Sequence, residues 1–458
     1  MTGMSVPFAV VATAAFFFAS PSARADTAAL PSPRVTAVVD DVVARYGLPG
    51  IAVGIVADGE VRQVELRGEA VLGGGGPVAG DTRFKVASNT KAMTAALLAR
   101  QVDAGLLAWD DPVVKHLPGF RMYEEWVTRE IQVRDLLIHN SGLGPGAGDL
   151  MLWPEPNAFT RDEVIAGLAH LRPLWSFRSR YAYDNTLYIV AGEVAAAVGG
   201  APFDELLRRE VFAPLGMDDC RIGEWQTARA RSIAAAHVRR DGTWIARRDG
   251  EVVADMPMAA AGGVRCGLDD MLRWVRAWLE PGTVHAGRGD DARPWLSSRQ
   301  REAAWTAHMP MPLSQRMRDW NRSHYSAYGY GWRLSDVDGT AKVAHTGTLS
   351  GMYSAVTLLP ELDVGYVILI HADAGEARTV LEQSLGKIFT ACGGADPSAG
   401  LPCASEPGLV THYAGLLADE RAATAARAAS HAAEDGSMRI DPARQAASAA
   451  ELAPWLGH

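Results

Sequence analysis

The chain has 458 residues, of which 48% are hydrophobic and 21% charged, and its formal net charge is −9. A chain of this size can bury a large core and is long enough to hold more than one structural unit. It has no basic stripe and no run of Lys and Arg, so we expect no nucleic-acid partner.

The first 25 residues have the pattern of a secretory signal peptide. An apolar segment, 7–19, is too short for a membrane span and is followed by Ser22-Ala-Arg-Ala25, an Ala-x-Ala cleavage pattern. We therefore expect cleavage after Ala25 and a periplasmic or secreted protein, although residues 1–6 lack the usual Lys or Arg. Residues 26–33 are rich in Ala and Pro and are predicted to be a linker. No later stretch has the length of a membrane span, so we expect no stable membrane anchor.

The folded part is predicted to begin with a helix and a β-hairpin. Valines recur at helical spacing over 34–46, and Gly47 and Pro49 end the pattern. Two β-rich runs follow, 51–56 and 61–66, and the Asp58-Gly59 dipeptide between them is typical of a hairpin turn. A helix followed by antiparallel strands indicates an α+β layer rather than a doubly wound parallel sheet.

The remaining elements divide the chain into a helical middle and a second strand-rich part. Helices are predicted over 88–100, 160–170, 186–198, 203–210, 268–279 and 377–389, and strands over 328–334, 341–344, 354–359 and 365–370. We therefore predict an α+β fold, in which both ends of the chain build an antiparallel sheet flanked by helices and the middle forms a mostly helical inserted domain. The predicted domain spans 34–391, with the sheet part in 34–87 and 325–391, the helical part in 88–324, and an Ala-rich C-terminal tail in 392–458.

Ser88 and Lys91 are the first candidate catalytic residues. A spacing of three places both side chains on one face of the predicted helix, near its N-terminus. A lysine that has lost part of its hydration gives up its proton more readily and can activate a serine hydroxyl for acyl transfer. The pattern is short, however, and it occurs a second time at Ser384 and Lys387, so spacing alone does not identify the pair as catalytic.

Two further motifs accompany Ser88-x-x-Lys91, namely Tyr183-Asp-Asn185 and His345-Thr-Gly347. Together, and in this order, they resemble the motifs of the serine β-lactamase and penicillin-binding-protein superfamily. The segments Leu136-Leu-Ile-His-Asn-Ser-Gly-Leu143 and Ala261-Gly-Gly263 resemble its class C branch, which includes family VIII carboxylesterases and D-amino-acid peptidases. The resemblance covers about residues 34–391 and implies a β-lactamase/transpeptidase-like fold.

The resemblance also implies a role for each residue. Ser88 would attack an acyl carbonyl and form an acyl-enzyme, while Lys91 and Tyr183 would share the movement of its proton, and the sequence leaves open which of them is the base. Asn185 would bind the lysine or the substrate. His345, Thr346 and Gly347 would line the substrate site, and the backbone N–H groups of Ser88 and Thr348 would form the oxyanion hole.

The third motif begins with His345, where β-lactamases of this branch usually carry Lys, and a neutral imidazole is a weaker anchor for a carboxylate than an ammonium group. The loop Gly144-Pro-Gly146 also lacks the Gln that those enzymes present. We therefore expect a hydrolase of small esters or amides, either a carboxylesterase or a D-aminopeptidase-like enzyme. The alternatives are a β-lactamase or D-Ala-D-Ala carboxypeptidase and, from another class, a non-catalytic protein that binds cell-wall fragments.

The remaining expectations concern cofactors, cysteines and the acyl pocket. No metal or organic cofactor is expected, because the sequence has no phosphate-binding Gly-rich loop and no His-Glu-x-x-His pattern. Cys392 and Cys403 are close enough in sequence to bridge in an oxidising compartment, whereas the alternative is four free thiols. Aromatic residues in the loops before Tyr183 are candidates for an apolar acyl pocket: Trp153, Phe159, Trp175 and Phe177.

Overall fold

The computed structural model describes residues 32–153, 158–280, 285–286, 293–392 and 406–437. The predicted signal peptide 1–25, most of the linker 26–33, and tail residues 393–405 and 438–458 lie outside this set. In the described part, no single helix is long and apolar enough to cross a membrane; Thr186–Gly199 and Phe203–Leu215, bent by 78°, reach that length and composition only as a pair. Among these residues, no three His, Cys, Asp or Glu side chains group in a way that could hold a metal ion.

Helices account for both ends of the folded chain and most of its middle. The α-helices are Pro33–Tyr46, Thr90–Asp103, Val113–His116, Glu125–Glu130, Arg161–Gly167, Thr186–Gly199, Phe203–Leu207, Ala259–Gly262, Leu268–Leu279, Ser298–Ala304, Gln315–Asn321, Gly375–Thr390 and Glu406–Ser437.

An eight-stranded antiparallel sheet forms the centre of the molecule. Its strands, in spatial order, are Met309–Pro310, Ser326–Tyr328, Arg333–Val337, Thr340–Leu349, Met352–Leu359, Val364–Ile370, Gly50–Ala57 and Glu60–Gly68. The N-terminal hairpin joins the sheet through its first strand, Gly50–Ala57, which pairs with Val364–Ile370 so that Ile51 lies opposite Ile370. The predicted α+β fold, with one antiparallel sheet built from both chain ends, is therefore confirmed.

The two faces of the sheet are covered by different helices. Along the strand Gly50–Ala57, alternate residues point to opposite faces. Ile51, Val53 and Ile55 belong to the core beneath the terminal helices, whereas Ala52 and Val56 belong to the core shared with the helical middle. At Gly54 the helix Leu268–Leu279 comes so close that a Cβ would lie 2.7 Å from Leu272.

The structure differs from the predicted secondary structure in two places. The single strand predicted over 328–334 is two strands, Ser326–Tyr328 and Arg333–Val337. Gly331 turns the chain between them with a positive φ of 76° and packs against the nucleophile helix, where a Cβ would lie 2.7 Å from the Lys91 carbonyl oxygen. The helical middle also contains a hairpin, Ala236–Arg240 with Thr243–Arg247, whose polar and charged composition gave no clear strand signal.

The cysteines contradict the expectation of four free thiols and form a bridge that neither expectation included. Cys220 and Cys266 form a disulfide across 46 residues of sequence. Cys392 is disulfide-bonded as well, and Cys403 lies outside the described residues. The alternative of four free thiols is therefore wrong. Sequence spacing did not predict the first bridge, because the two cysteines meet only through the tertiary contact between Arg221 and Arg265.

Candidate active site

Ser88 lies in a 3₁₀ turn, Ala87–Asn89, which leads directly into the helix Thr90–Asp103. The preceding residue, Ala87, has a φ of +49°, a conformation that is unfavourable for a residue with a Cβ and is characteristic of tightly held functional turns. The Asn89 amide donates to Ser354 Oγ at 2.7 Å, and Ser354 Oγ donates to the Val86 carbonyl at 2.8 Å. These bonds hold the nucleophile's turn against the sheet.

Lys91 is completely buried and faces Ser88, with 3.3 Å between its Nζ and the serine Oγ. Its Nζ also donates to Asn185 Oδ1 and to the Ala261 carbonyl oxygen, both at 2.8 Å. Burial, followed by the positive charge of Arg333, lowers the pKa of Lys91 to about 7. A lysine with this pKa is substantially neutral at neutral pH.

Tyr183 completes the group around the serine hydroxyl. The Ser88 side chain is among the neighbours that favour the ionised form of Tyr183, and the Tyr183 ring lies 4.9 Å from Lys91 Nζ. The ring of His139 packs 4.3 Å from the Tyr183 ring, and the His139 Nδ1 accepts the Asp184 N–H at 3.1 Å, which fixes this turn of the chain. Burial raises the pKa of Tyr183 despite the nearby Arg333, so the phenol is neutral at pH 7.

Asn185 connects Lys91 to an acidic residue that the sequence analysis did not identify. Its amide nitrogen donates to both carboxylate oxygens of Asp149, at 3.1 and 3.3 Å. Because a carboxylate only accepts hydrogen bonds, this contact fixes the amide with Oδ1 toward Lys91. Burial raises the pKa of Asp149. No local sequence pattern marks Asp149, which begins the 3₁₀ turn Asp149–Met151, shortly after the Gly144-Pro-Gly146 loop.

The strand Thr340–Leu349 carries the third motif past Ser88. A Cβ on Gly347 would lie 2.3 Å from the Val86 carbonyl oxygen and 2.4 Å from Ser354 Oγ, so only glycine lets the strand approach the nucleophile's turn this closely. Thr346 is partly buried and Thr348 is exposed. Thr346 and Thr348 therefore lie on either side of Gly347, where this strand packs against the turn that carries Ser88.

His345 has a different environment from the one the resemblance implied. It is fully buried, and its Nδ1 lies 2.9 Å from the Thr346 carbonyl oxygen while its Nε2 lies 2.8 Å from the Tyr328 hydroxyl. The carbonyl can only accept, so Nδ1 carries the proton and Tyr328 donates to Nε2. Burial, followed by the charge of Arg333, holds the pKa of His345 well below its usual value. His345 is thus a neutral support beneath the strand rather than an exposed substrate anchor.

Two arginines supply the permanent positive charge that His345 lacks. Arg333 donates to Thr346 Oγ1 at 2.9 Å, and its guanidinium carbon lies 5.7 Å from the Tyr183 ring. Arg378 donates to the Gly347 carbonyl and to Thr348 Oγ1, both at 3.2 Å. Neither arginine belongs to a recognisable motif, and only the fold brings them to the strand.

The second Ser-x-x-Lys pair is structural. Ser384 and Lys387 are buried in the helix Gly375–Thr390. Lys387 forms an ion pair of 2.5 Å with Asp338, whose carboxylate is also almost fully buried. Burial lowers the pKa of Lys387, but the ion pair with Asp338 opposes that shift and favours the charged lysine, which has no lone pair to accept a proton from Ser384.

A cavity of about 480 Å³ is lined by a residue close in sequence to Ser88, but not by Ser88, Lys91 or Tyr183 themselves. Lys85, three residues before the serine, lines it, as does Met258. Met258 and Ala87 both lie close to Gly262. A Cβ added to Gly262 would lie 2.7 Å from the terminal methyl of Met258 and 3.6 Å from the carbonyl carbon of Ala87. The apolar part of the wall is formed by Leu152, Val252, Val253, Ala254, Met256, Pro257 and Met258.

The four aromatic residues predicted to form an acyl pocket do not line this cavity. Trp126 and Phe177 pack edge to face, and Arg180 lies over Trp175, so these aromatic side chains pack within the helical middle or on its surface. Phe159 is 45% exposed. The aromatic acyl pocket therefore stays a prediction, and the apolar wall of this cavity consists of aliphatic and methionine side chains, mostly from residues 252–258.

Proteins similar to this chain include a penicillin-binding protein, an esterase and an amidohydrolase. Penicillin-binding protein 4 of Amycolatopsis lactamdurans is 28% identical over 324 residues, covering 70% of this chain and 80% of that protein. Esterase EstB of Burkholderia gladioli is 31% identical over 211 residues, covering 44% of this chain and 54% of the esterase. A D-stereospecific amidohydrolase from Streptomyces superposes with a TM-score of 0.60 at 23% identity, covering 79% of this chain and 99% of that chain, which shows the shared fold.

The comparison with family models covers most of the folded chain. The model described as Beta-lactamase matches residues 35–387, a span that contains Ser88, Lys91, Tyr183 and the strand Thr340–Leu349. The resemblance inferred from the motifs is confirmed, and the chain belongs to the Beta-lactamase family.

Proposed function

We propose that this protein is a serine hydrolase that acts through an acyl-enzyme on small esters or amides. The observation that carries the proposal is the contact of 3.3 Å between Ser88 Oγ and the Nζ of a fully buried lysine whose pKa is lowered to about 7. A serine hydroxyl becomes an effective nucleophile only when a neighbouring group accepts its proton. Lys91 has both the position and the protonation state for that task.

Lys91 is the better candidate for the base than Tyr183. A neutral lysine carries two hydrogens, and the two carbonyl oxygens at 2.8 Å, from Asn185 and Ala261, accept both. Its lone pair is then left to face Ser88. Tyr183 would have to be ionised to accept the proton, and its pKa is raised rather than lowered. Because the two groups are in contact, they titrate as a coupled pair.

Tyr183 would act after the attack of Ser88, when the leaving group needs a proton. As a neutral phenol beside Lys91, it can give its proton to the leaving group when the tetrahedral intermediate collapses, while the protonated Lys91 returns the Ser88 proton to the phenol oxygen. The negative oxygen of that intermediate would be stabilised by the backbone N–H groups of Ser88 and Thr348. Loss of one such donor typically costs about 3 kcal/mol of transition-state stabilisation.

The acyl group would enter the cavity bordered by Lys85, Leu152 and Met258. Its mainly aliphatic wall suits an apolar acyl chain, and methionine side chains adapt readily to different shapes. An esterase among the similar proteins supports this substrate class.

A second candidate function, the hydrolysis of D-Ala-D-Ala peptides or β-lactams, is favoured by Arg333. Both substrate classes carry a carboxylate, and the resemblance alone left only the neutral His345 to bind it. Arg333 lies on the adjacent strand, bonded to Thr346, and guanidinium groups bind carboxylates well. The name of the relative Penicillin-binding protein 4 supports this candidate.

We also propose that the chain is exported, with cleavage after Ala25. The proposal is supported by the apolar segment 7–19 with its Ala-x-Ala pattern and by the Cys220–Cys266 disulfide, since disulfides persist mainly in oxidising compartments. N-terminal sequencing of the protein from a periplasmic or culture fraction should give Asp26 as the first residue. An uncleaved chain confined to the cytoplasm would refute export.

Hydrolysis assays with p-nitrophenyl butyrate, nitrocefin and a D-alanyl-D-alanine peptide test the catalytic proposals. Ser88→Ala should abolish turnover of every active substrate while the circular dichroism spectrum stays unchanged. Turnover of the ester alone supports the first function, and turnover of nitrocefin or the peptide at a higher kcat/KM supports the second. Undiminished activity of a folded Ser88→Ala variant would rule out both.

A further inference from the structure

A second cavity, of about 400 Å³, adjoins the first at Val252, which lines both. Between them lies a short two-stranded sheet, Trp225–Gln226 paired with Val252–Val253. We call this second cavity the arginine cavity, because Arg83, Arg221 and Arg229 line it. Glu224 is the single acidic residue among its lining residues. The catalytic proposal does not use any of these side chains.

Positive charge exceeds negative charge in the arginine cavity. Arg83 pairs with Asp219 at 3.1 Å, and burial, followed by the nearby charge of Arg221, lowers the pKa of Arg83. Within the described part of the chain, no carboxylate lies within 4.0 Å of the Arg221 or Arg229 guanidinium groups. Guanidinium groups held close together repel one another, and a bound anion relieves that repulsion.

Trp225 contacts one guanidinium group from each of the two cavities. Arg83 lies 5.5 Å from its ring centre and Arg265 lies 5.7 Å from it. Arg265 in turn forms two hydrogen bonds with Asp249, on the side of the first cavity. Contact with an aromatic ring favours a cation, so the ring keeps both arginines ordered.

The backbone around the arginine cavity is also fixed. Cys220 and Cys266 are joined by the disulfide, and the residues beside them, Arg221 and Arg265, exchange two backbone hydrogen bonds of 2.8 and 2.9 Å. The Arg83 side chain donates to the Asp219 carbonyl oxygen at 2.6 Å. The Arg83 guanidinium group is therefore ordered before any ligand arrives, as is that of Arg221, which donates to the Asp218 and Cys220 carbonyl oxygens, and this order reduces the entropy lost on binding.

We propose that the arginine cavity is a binding site for a phosphate group, either free or part of a phosphate ester, next to the proposed acyl cavity. Guanidinium groups present pairs of N–H donors that match the oxygens of phosphate, and a group with up to two negative charges suits a cavity lined by three arginines. Since the two cavities meet at Val252, a phosphate bound here lies beside the proposed acyl cavity.

Titration calorimetry of inorganic phosphate into the full chain tests the proposal. Arg221→Gln and Arg229→Gln should each raise the Kd roughly tenfold, as expected for the loss of a charged hydrogen bond. Arg229 is exposed, so its replacement should leave the fold intact. The matched control is Arg231→Gln, which removes the same charge from a side chain that is 82% exposed and lies outside the lining, and it should leave the Kd within about twofold.

The same titration separates this site from the catalytic one. Ser88→Ala should bind phosphate with the same Kd as the wild type. This expectation holds whether or not the wild type hydrolyses any of the substrates. Phosphate bound at Arg333 in the catalytic cleft would be insensitive to Arg221→Gln and Arg229→Gln, and that result would overturn the proposal. An absence of measurable binding to the wild type at low salt would overturn it as well.

Two further ligands distinguish the source of the phosphate. Tighter binding of inorganic phosphate than of diethyl phosphate or a glycerol phosphate oligomer would identify a site for free phosphate. Binding of the oligomer at least as tightly as inorganic phosphate, with the same loss in Arg229→Gln, would identify a site for a phosphodiester polymer.

Discussion

Both carboxylate oxygens of Asp149 lie within hydrogen-bond distance of the Asn185 amide nitrogen, at 3.1 and 3.3 Å. This contact orients the other end of the amide, so that Oδ1 accepts from Lys91 at 2.8 Å. Asp149 thus acts on the Ser88–Lys91 pair through Asn185. It also adds a negative charge that favours the protonated lysine and partly opposes the effect of burial.

The pH profile of the wild-type enzyme should follow the protonation of Lys91. The lysine can take the Ser88 proton only when it is neutral, and its pKa is lowered to about 7. We expect kcat/KM to fall about tenfold per pH unit below that value and to level off above it. A profile that is flat between pH 5 and 9, or one that rises only near pH 10, would contradict this assignment.

Asp149→Asn should shift the fall of kcat/KM on the acidic side of the pH profile, the acid limb, to lower pH. The Asp149 charge raises the pKa of Lys91, so its removal lowers the pKa and leaves the lysine neutral in more acidic solution. We also expect kcat to fall, because the amide of Asn185 loses the carboxylate that orients it. The control is Asp162→Asn, an exposed carboxylate on the helix Arg161–Gly167, which should change neither quantity. A limb that moves to higher pH would refute the electrostatic argument.

Tyr183→Phe should lower kcat by roughly 10²–10⁴-fold, the usual contribution of a positioned proton donor, with a smaller change in KM. The phenylalanine keeps the ring that packs against His139 and Lys91 but removes the hydroxyl proposed to donate the proton. Steady-state kinetics with an ester substrate measures the loss. Tyr325→Phe, at a residue 45% exposed, provides the comparison and should retain full activity. An unchanged kcat in Tyr183→Phe would exclude Tyr183 from proton transfer.

Gly347→Ala should both destabilise and inactivate the protein. The new methyl group would lie 2.3 Å from the Val86 carbonyl oxygen, so the strand must move away from the turn that holds Ser88. Overpacking of this kind typically costs about 1–3 kcal/mol.

Gly415→Ala is the opposite case. This glycine is in the helix Glu406–Ser437 and a Cβ there meets no atom within 4 Å, so alanine should stabilise the protein by up to about 1 kcal/mol. Thermal unfolding of the two variants compares them directly. Equal melting temperatures, or full activity in Gly347→Ala, would show that the close approach of this strand does not matter.

The sequence identified the residues that act through local spacing. Ser88 and Lys91 are one helical turn apart, and Tyr183 and Asn185 are two residues apart at the start of the helix Thr186–Gly199, so a short pattern fixes each pair. The antiparallel sheet was also predictable, because the hairpin dipeptide and alternating strands appear in the sequence.

The residues that the sequence did not reveal act through tertiary contacts. Arg333, Arg378 and Asp149 have no fixed spacing from Ser88, and only the fold brings them near Thr346, Thr348 and Asn185. The same reason explains the unpredicted Cys220–Cys266 bridge. The burial of His345 beneath its strand was also hidden, since the motif is the same whether the imidazole points outward or inward.

The two Ser-x-x-Lys pairs permit the most direct test of the catalytic assignment. The protein would be incubated with a fluorophosphonate, a reagent that modifies activated serines, and the site of attachment mapped by peptide mass spectrometry. Because Lys91 has a pKa of about 7 whereas Lys387 is paired with Asp338, we predict one adduct per chain, on Ser88, and none in Lys91→Ala. Labelling at Ser384, or no labelling of an intact wild-type protein, would contradict the account.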